Sequence, residues 1–278
     1  MKIHRWDLDG RGYGSPKGLA NRIHELIPEL PFNFSTQALA SELGIAEISV
    51  EPASGFQALL VTKPGRSRGG IILAEGQSPE RMRFSVGHEL GHFLLPSHEP
   101  DTSGRFVCSQ RDMNLLGARE KNRRDQMEVQ ANEFSARLLI PLHKIRQELR
   151  SVPDLNVMKA LAGQFRVSKE AMARSYAEYR DDPVAIVVTQ YGKFLYAYCD
   201  RDRFPWLALR KGDPLPNSSE YFGREHIEGA ISEIDDVDPE DWLSDPERDK
   251  VLALREQLLW QQHGFAMVLL QAELDEDS

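Results

Sequence analysis

Residues 83–97 read RFSVGHELGHFLLPS. Val86, Leu90, Phe93, Leu94 and Leu95 recur at near-helical intervals, the pattern of a helix face that packs on a core. His88, Glu89 and His92 stand in the middle of that face. Burying unpaired imidazoles and a carboxylate costs several kcal/mol, so something must compensate for them.

On an α-helix, residues four apart face the same way, so His88 and His92 present two nitrogens to one point, with Glu89 about a quarter turn round. This is the arrangement of a zinc protease: neutral imidazoles bind the ion, and a catalytic zinc takes three protein ligands and leaves one position to water. Glu89, beside the ligands, is then placed to deprotonate that water rather than to bind. Without a metal the two histidines would be surface groups, or core groups satisfied by hydrogen bonds. The spacing, the intervening Glu and the apolar flanks favour the metal.

The third ligand has to come from an element that packs on this helix. The segment MEVQANEFSARLLIP puts Glu128 and Asn132 four apart on one face, among Ala131, Phe134, Leu138 and Leu139. Glu128 as ligand would leave Asn132 to hold a ligand histidine in one tautomer. Glu120 and Glu133 compete with Glu128 at this point.

The rest of the chain sets the frame. Its 278 residues suffice for one large or two ordinary domains, and 41% hydrophobic with 28% charged residues suit a globular core. MKIHRWDLDGRG holds no apolar leader, and no later run approaches the ~20 apolar residues of a membrane span, so a cytoplasmic protein without a membrane partner is expected. Cys108 and Cys199 are far apart in no paired spacing, which argues against a disulfide framework and a thiolate zinc cluster; both read as free thiols. Residues 1–150 carry 20 Lys or Arg against 18 Asp or Glu, and residues 151–278 carry 14 against 25. Acidic blocks such as SEIDDVDPEDWLSDPERD and the tail ELDEDS disfavour phosphate backbones and suit a protein partner better than DNA.

Helical patterns are expected at 16–28 and 35–43, the second opening at a Ser/Thr cap and closing at Gly44. AEISVEPA, QALLVTKPG and GGIILAEG then read as a small antiparallel sheet, with Gly70 to Leu73 either a candidate edge for an extended peptide or an ordinary core strand. Ser78 starts a helix over about 79–95, ended by Pro96; residues 97–116 read as a surface loop; a second long helix covers about 118–139. Shorter helices are expected at 141–150, 155–163 and 168–179. After Asp181-Asp182-Pro183 the texture turns to β, in PVAIVVTQ, GKFLYAYCD and FPWLALRKG. The end, around His263-Gly264, is either a hairpin or a helix and a strand. The expected class is α+β: a zincin-like core of helices with a small sheet at 1–182, including helix-turn-helix-like helices at about 141–182, and a β-rich C-terminal domain at 183–278, regulatory or substrate-binding.

RFSVGHELGHFLL, followed 36 residues after the second His by EVQANEFSARLLIP, resembles the ImmA/IrrE metallopeptidases. The resemblance covers roughly residues 35–180 and extends to LAGQFRVSKEAMARSY. It implies that His88, His92 and Glu128 bind Zn²⁺ and that Glu89 is the general base. It also implies the target, since members of the family commonly cut a helix-turn-helix transcriptional repressor and thereby switch on stress or mobile-element genes. One departure is PSH at 96–98, where many relatives carry a His directly after the Leu pair; His98 is displaced and is given no role.

Gly87 and Gly91 beside the ligands cost about 1 kcal/mol each in a helix interior relative to Ala, which close approach by a neighbour would explain and simple tolerance would too. Arg81 and Arg83 either pair with acids near the site or are solvated. LAGQFRVSKEAMARSYAEY, with Lys169, Arg174 and Arg180, also reads as a helix-turn-helix of a DNA-binding regulator; a packed helical pair is favoured because few basic residues line the second helix. A metal-bound scaffold that sequesters a partner without cutting it is the third alternative.

Overall fold

The computed structural model describes residues 8, 14–52, 55–115, 122–146 and 148–275. Glu120, one of the acids competing for the third ligand position, lies outside the described residues. The chain divides into two compact units, Met1–Lys144 with Gly163–Ser168, and Ile145–Ala162 with Lys169–Ser278. The architecture is α+β, as expected.

In the first unit, α1 (Pro16–Leu26) and α2 (Thr36–Glu42) begin at serine caps, the Oγ of Ser15 accepting from the Gly18 N–H and that of Ser35 from the Ala38 N–H, both at 3.1 Å. Four strands follow, β1 (Ile45–Glu51), β2 (Ala58–Thr62), β3 (Gly69–Ala74) and β4 (Arg105–Cys108), in the order β1-β3-β2-β4. The β2–β3 and β2–β4 pairs are antiparallel, whereas β1 and β3 run parallel. The hairpin after β2 folds β3 back between β2 and β1, which aligns β3 with β1. Gly70 to Leu73 therefore lie on a central strand, and the edge expected there is supplied by β1 and β4 instead. β4 itself lies within the stretch read as a loop.

One face of this sheet is apolar in register: Leu73, Ala58 and Cys108 form one row and Ile71, Leu60 and Phe106 the next, all buried. Against it packs α3 (Pro79–Leu94), capped by Ser78, whose Oγ accepts from the Arg81 N–H at 3.2 Å. At the other end Arg66 Nη1 donates to the carbonyls of His92 (2.8 Å) and Leu95 (2.6 Å), satisfying acceptors that a helix terminus leaves open. α4 (Arg123–Leu139) starts at Asn122, whose Oδ1 accepts from the Asp125 N–H at 2.8 Å, and packs along α3 and α1.

The α3–α4 approach explains the two glycines. A Cβ on Gly87 would sit 2.5 Å from Ser135 Oγ, and one on Gly91 3.0 Å from Phe134 Cδ1 and 3.2 Å from Ala131 Cα. Ser135 Oγ also donates to the Phe84 carbonyl at 2.9 Å, a hydrogen bond between the helices that needs this proximity. Arg83 is neither solvated nor paired with an acid: it is buried and donates to the Phe34 and Phe165 carbonyls, with its guanidinium 5.3 Å from the Phe34 ring centroid. Arg81 Nη1 reaches Asn114 Oδ1 at 3.4 Å.

After α5 (Leu142–Ile145), the second unit holds most of α6 (Leu155–Phe165), then α7 (Lys169–Tyr179) and an antiparallel sheet of β5 (Val184–Gln190), β6 (Lys193–Cys199), β7 (Asp235–Val237), β8 (Val251–Trp260) and β9 (Phe265–Leu274), ordered β6-β5-β9-β8-β7. β5 and β6 join at Tyr191-Gly192, both at positive φ, as a tight hairpin turn requires. His263 and Gly264 do the same between β8 and β9, so the chain ends in a hairpin rather than a helix and a strand. FPWLALRKG forms no strand; Leu207 makes only an isolated bridge to Leu243. α7 packs on β5 and β6 with Tyr176 buried. Among the described residues no helix is long and apolar enough to cross a membrane.

Candidate metal centre

α3 carries His88 and His92 one turn apart, and both are fully buried, as is Glu89. α4 brings Glu128 to them: its Oε2 lies 3.1 Å from His88 Nε2 and 3.3 Å from His92 Nε2, and the two Nε2 atoms are 3.1 Å apart. Glu133, the other competing acid among the described residues, is exposed on α4.

The tautomers follow from the hydrogen bonds behind each ring. Asn132 Nδ2 donates to the carbonyls of Asp112 (2.9 Å) and Leu115 (3.1 Å), which turns its Oδ1 to His88 Nδ1 at 2.8 Å. An amide oxygen only accepts, so His88 carries its proton on Nδ1. His98 reaches the Gln130 Oε1 acceptor with Nε2 at 3.0 Å and His92 Nδ1 with Nδ1 at 2.9 Å. With its proton spent on Gln130, His98 accepts at Nδ1, so His92 also carries its proton on Nδ1. Both Nε2 lone pairs therefore point at each other and at Glu128.

Three acceptors about 3 Å apart repel one another unless a cation lies between them. One proton bridges one pair and leaves the third acceptor bare. A divalent ion satisfies all three, and the spacing suits it: donors at ~2.0–2.1 Å around a tetrahedral zinc are about 3.3 Å apart. The residues present thus fit the metal.

Charge around the site is tightly coupled. Burial works against protonating His88, but its hydrogen bond to Glu128 and the charges of Glu89 and Glu128 outweigh it, and its pKa is raised. Burial also opposes ionisation of Glu128, yet the hydrogen bonds and charges of both histidines hold its carboxyl well below the usual carboxylate range. His92 is pushed down to about 4 and His98 to about 3, in both cases mainly by burial. Glu89 is pushed up to about 7 by burial, opposed only in part by His88 and the Cys108 thiol. Neither of its carboxylate oxygens has a hydrogen-bond partner of normal geometry among the described residues.

Two neighbours escaped sequence reading. His98 orients His92 from the segment after α3, where the only signal was a histidine two residues late. Cys108 on β4 belongs to the same group: one donor atom from each of His88, His92, Cys108 and Glu128 lies within 4.8 Å of the others, and all four residues are buried. No spacing could have flagged it, because β4 meets α3 only through the sheet. On the same strand, Phe106 stacks on the His92 ring, centroids 4.7 Å apart at 25°.

Residues 47–175 match the model of the M78 peptidase family, described as the IrrE N-terminal-like domain. The chain is 27% identical over 210 residues to the radiation response metalloprotease IrrE of Deinococcus radiodurans, covering 66% of this chain and 61% of that relative's length. It also resembles the solved structure of a Mycobacterium tuberculosis transcriptional regulator, with a TM-score of 0.50 and 13% identity over 92% of this chain and 87% of the other, a likeness of fold alone. Residues 47–175, which hold both helices of the centre, are thus similar to the ImmA/IrrE metallopeptidases.

Proposed function

We propose that the protein is a zinc-dependent endopeptidase in which His88, His92 and Glu128 hold the ion and Glu89 is the general base. The observation that carries this reading is the convergence of two imidazole Nε2 atoms and a carboxylate oxygen at 3.1–3.3 Å, with the buried Glu89 carboxylate on the same helix. Zinc, when bound, supplies a Lewis acid that polarises the scissile carbonyl and acidifies water towards a pKa of ~7. Glu89 takes the proton of the attacking water and returns it to the leaving amine. Its burial suits both halves of that transfer, since a base poised near neutrality gives a proton back as readily as it accepts one. Asn132 and His98 keep the imidazole Nε2 atoms bare, and Arg66 ties down the end of α3 that carries His92.

The substrate we propose is a helix-turn-helix transcriptional repressor whose cleavage derepresses stress or mobile-element genes, with the reaction in the cytoplasm. The similarity to the M78 family and to the metalloprotease IrrE supports it, as do two free cysteines, which a reducing compartment preserves. Direct DNA binding through α6 and α7 has less support. Arg180 is 1% exposed and is spent on Asp182, Tyr176 Oη and the Ser151 carbonyl, so it is not available to a phosphate. Residues from 183 onward are proposed to regulate the protease or to bind its substrate.

The test is to incubate the zinc-loaded chain with purified helix-turn-helix repressors of the same organism, starting with any encoded beside it. Cleavage abolished by a chelator and restored by zinc is expected. Repressors all left intact, with zinc at one equivalent, would overturn the substrate.

A further inference from the structure

The catalytic reading needs three protein ligands and one vertex open to solvent. The structure offers a fourth donor. β4 alternates exposed Arg105, buried Phe106, exposed Val107 and buried Cys108, and the two buried side chains face α3. Phe106 lies on the His92 ring, and Cys108 is one register step further along, paired with Ala58. The main chain of Cys108 is fixed, its carbonyl accepting from the Gln57 N–H at 2.8 Å.

The composition of the group is informative. His₂CysGlu is a complete zinc donor set, and thiolate is the strongest-binding member of the usual zinc ligands present in it. Donor atoms within 4.8 Å of one another approach the roughly 3.6 Å that separates sulfur from nitrogen around a tetrahedral zinc, so a small side-chain movement closes the set. The second observation is Glu89: fully buried beside the Cys108 thiol, with neither oxygen in a hydrogen bond of normal geometry among the described residues. A carboxylate poised over an accessible vertex would ordinarily be solvated; this one is sealed in beside the thiol.

We propose that Cys108 is the fourth protein ligand of the metal in the resting protein, so that its thiolate caps the vertex hydrolysis needs until it is displaced. The inference rests on the metal site proposed above and adds a latent state to it. Sulfur leaves as a thiol, taking up a proton, when water or a peptide carbonyl takes its place; no oxidant or reductant is consumed.

The experiment is to load the full chain with cobalt(II) and record its absorption. Wild type is expected to bind one equivalent and show a thiolate-to-cobalt charge-transfer band in the near ultraviolet beside the visible bands of four-coordinate cobalt. Cys108→Ser and Cys108→Ala should lose the charge-transfer band and keep the visible bands, while Cys199→Ser should keep both. Should the Cys108 variants fail to fold, wild type and Cys199→Ser decide the matter by themselves. One equivalent of cobalt without the charge-transfer band overturns the thiolate ligand and leaves the three-ligand site standing. A chain that binds no cobalt or zinc overturns the site and the cap together.

Discussion

Two carboxylates are buried in this chain to opposite effect. Glu128, in the first unit, faces two imidazoles and is held ionised, well below the usual carboxylate range. Glu256 on β8, in the second unit, faces the Ser219 hydroxyl at 2.7 Å and the Glu220 backbone, with no cation beside it among these groups, and is pushed up to about 7, mainly by burial. The contrast separates two uses of a buried acid. Where lone pairs from two helices converge, the fold has room for a divalent cation; where only neutral donors face the carboxyl, a proton is enough.

The largest expected effect is on the converging group. His92→Ala should abolish both stoichiometric zinc, read by metal analysis of the purified protein, and peptide hydrolysis; retention of tight zinc would break the contrast outright. Glu89→Gln should keep one equivalent of zinc and lower hydrolysis by roughly 10²–10⁴-fold, the usual contribution of a positioned general base. A fully active Glu89→Gln protein would falsify the assigned base. Zinc affinity should fall on acidification, because the raised pKa of His88 lets a proton compete with the ion for Nε2 as the pH drops. Competition with a chelator from pH 7.5 down to about 5.5 measures the slope, and a flat profile would remove the proton from the site.

Asn132→Ala should weaken zinc by about 10- to 100-fold while leaving the three ligands in place, since it frees the His88 tautomer; isothermal titration reads this. The smallest effect is expected at Glu256. The folded-state pKa of Glu256 lies above its ordinary value of 4.5, so the folded chain keeps this proton longer than the unfolded one, and the penalty for ionising it appears as pH rises through about 7. Glu256→Gln should therefore gain stability relative to wild type at pH 8 and show no gain below pH 4.5, by urea denaturation. The gain is put at about 1 kcal/mol, under the ~1.4 kcal/mol per pKa unit that linkage allows, because the amide is itself a buried polar group. An equal effect at both pH values would show that Glu256 is not the mirror image of Glu128.

The helices of the centre are legible in the sequence because each is written in one continuous pattern. Ser78 and Pro96 bracket α3, and Glu128 and Asn132 fall one turn apart on α4. What the sequence hides is whatever depends on residues far apart pairing. β4 is four residues long, in a polar stretch with Pro100 and Gly104, and exists because β2 offers it an edge some 45 residues earlier in the chain. Cys108 and the stacking of Phe106 on His92 come with it. The parallel β1–β3 pair is hidden for the same reason: local alternation gives a strand but not its neighbour. Gly192 marks its turn in the sequence, whereas at His263-Gly264 only the antiparallel pairing of β8 with β9 decides for a hairpin over a helix and a strand.

The contact between α3 and α4 at Gly87 and Gly91 carries a consequence for how the centre ages under mutation. With Ser135 Oγ where a Cβ on Gly87 would stand, and Ala131 and Phe134 closing on Gly91, the separation of the two helices is set by side chains that are missing. A methyl group at Gly91 would press on the Ala131 backbone at 3.2 Å and so on the helix that carries Glu128, whereas one at Gly87 would first turn Ser135 Oγ aside and break its bond to the Phe84 carbonyl, in neither case touching any of the three ligands. Loss of function in this chain thus has a route through its smallest residues, and a variant silenced that way would still display every ligand in its sequence.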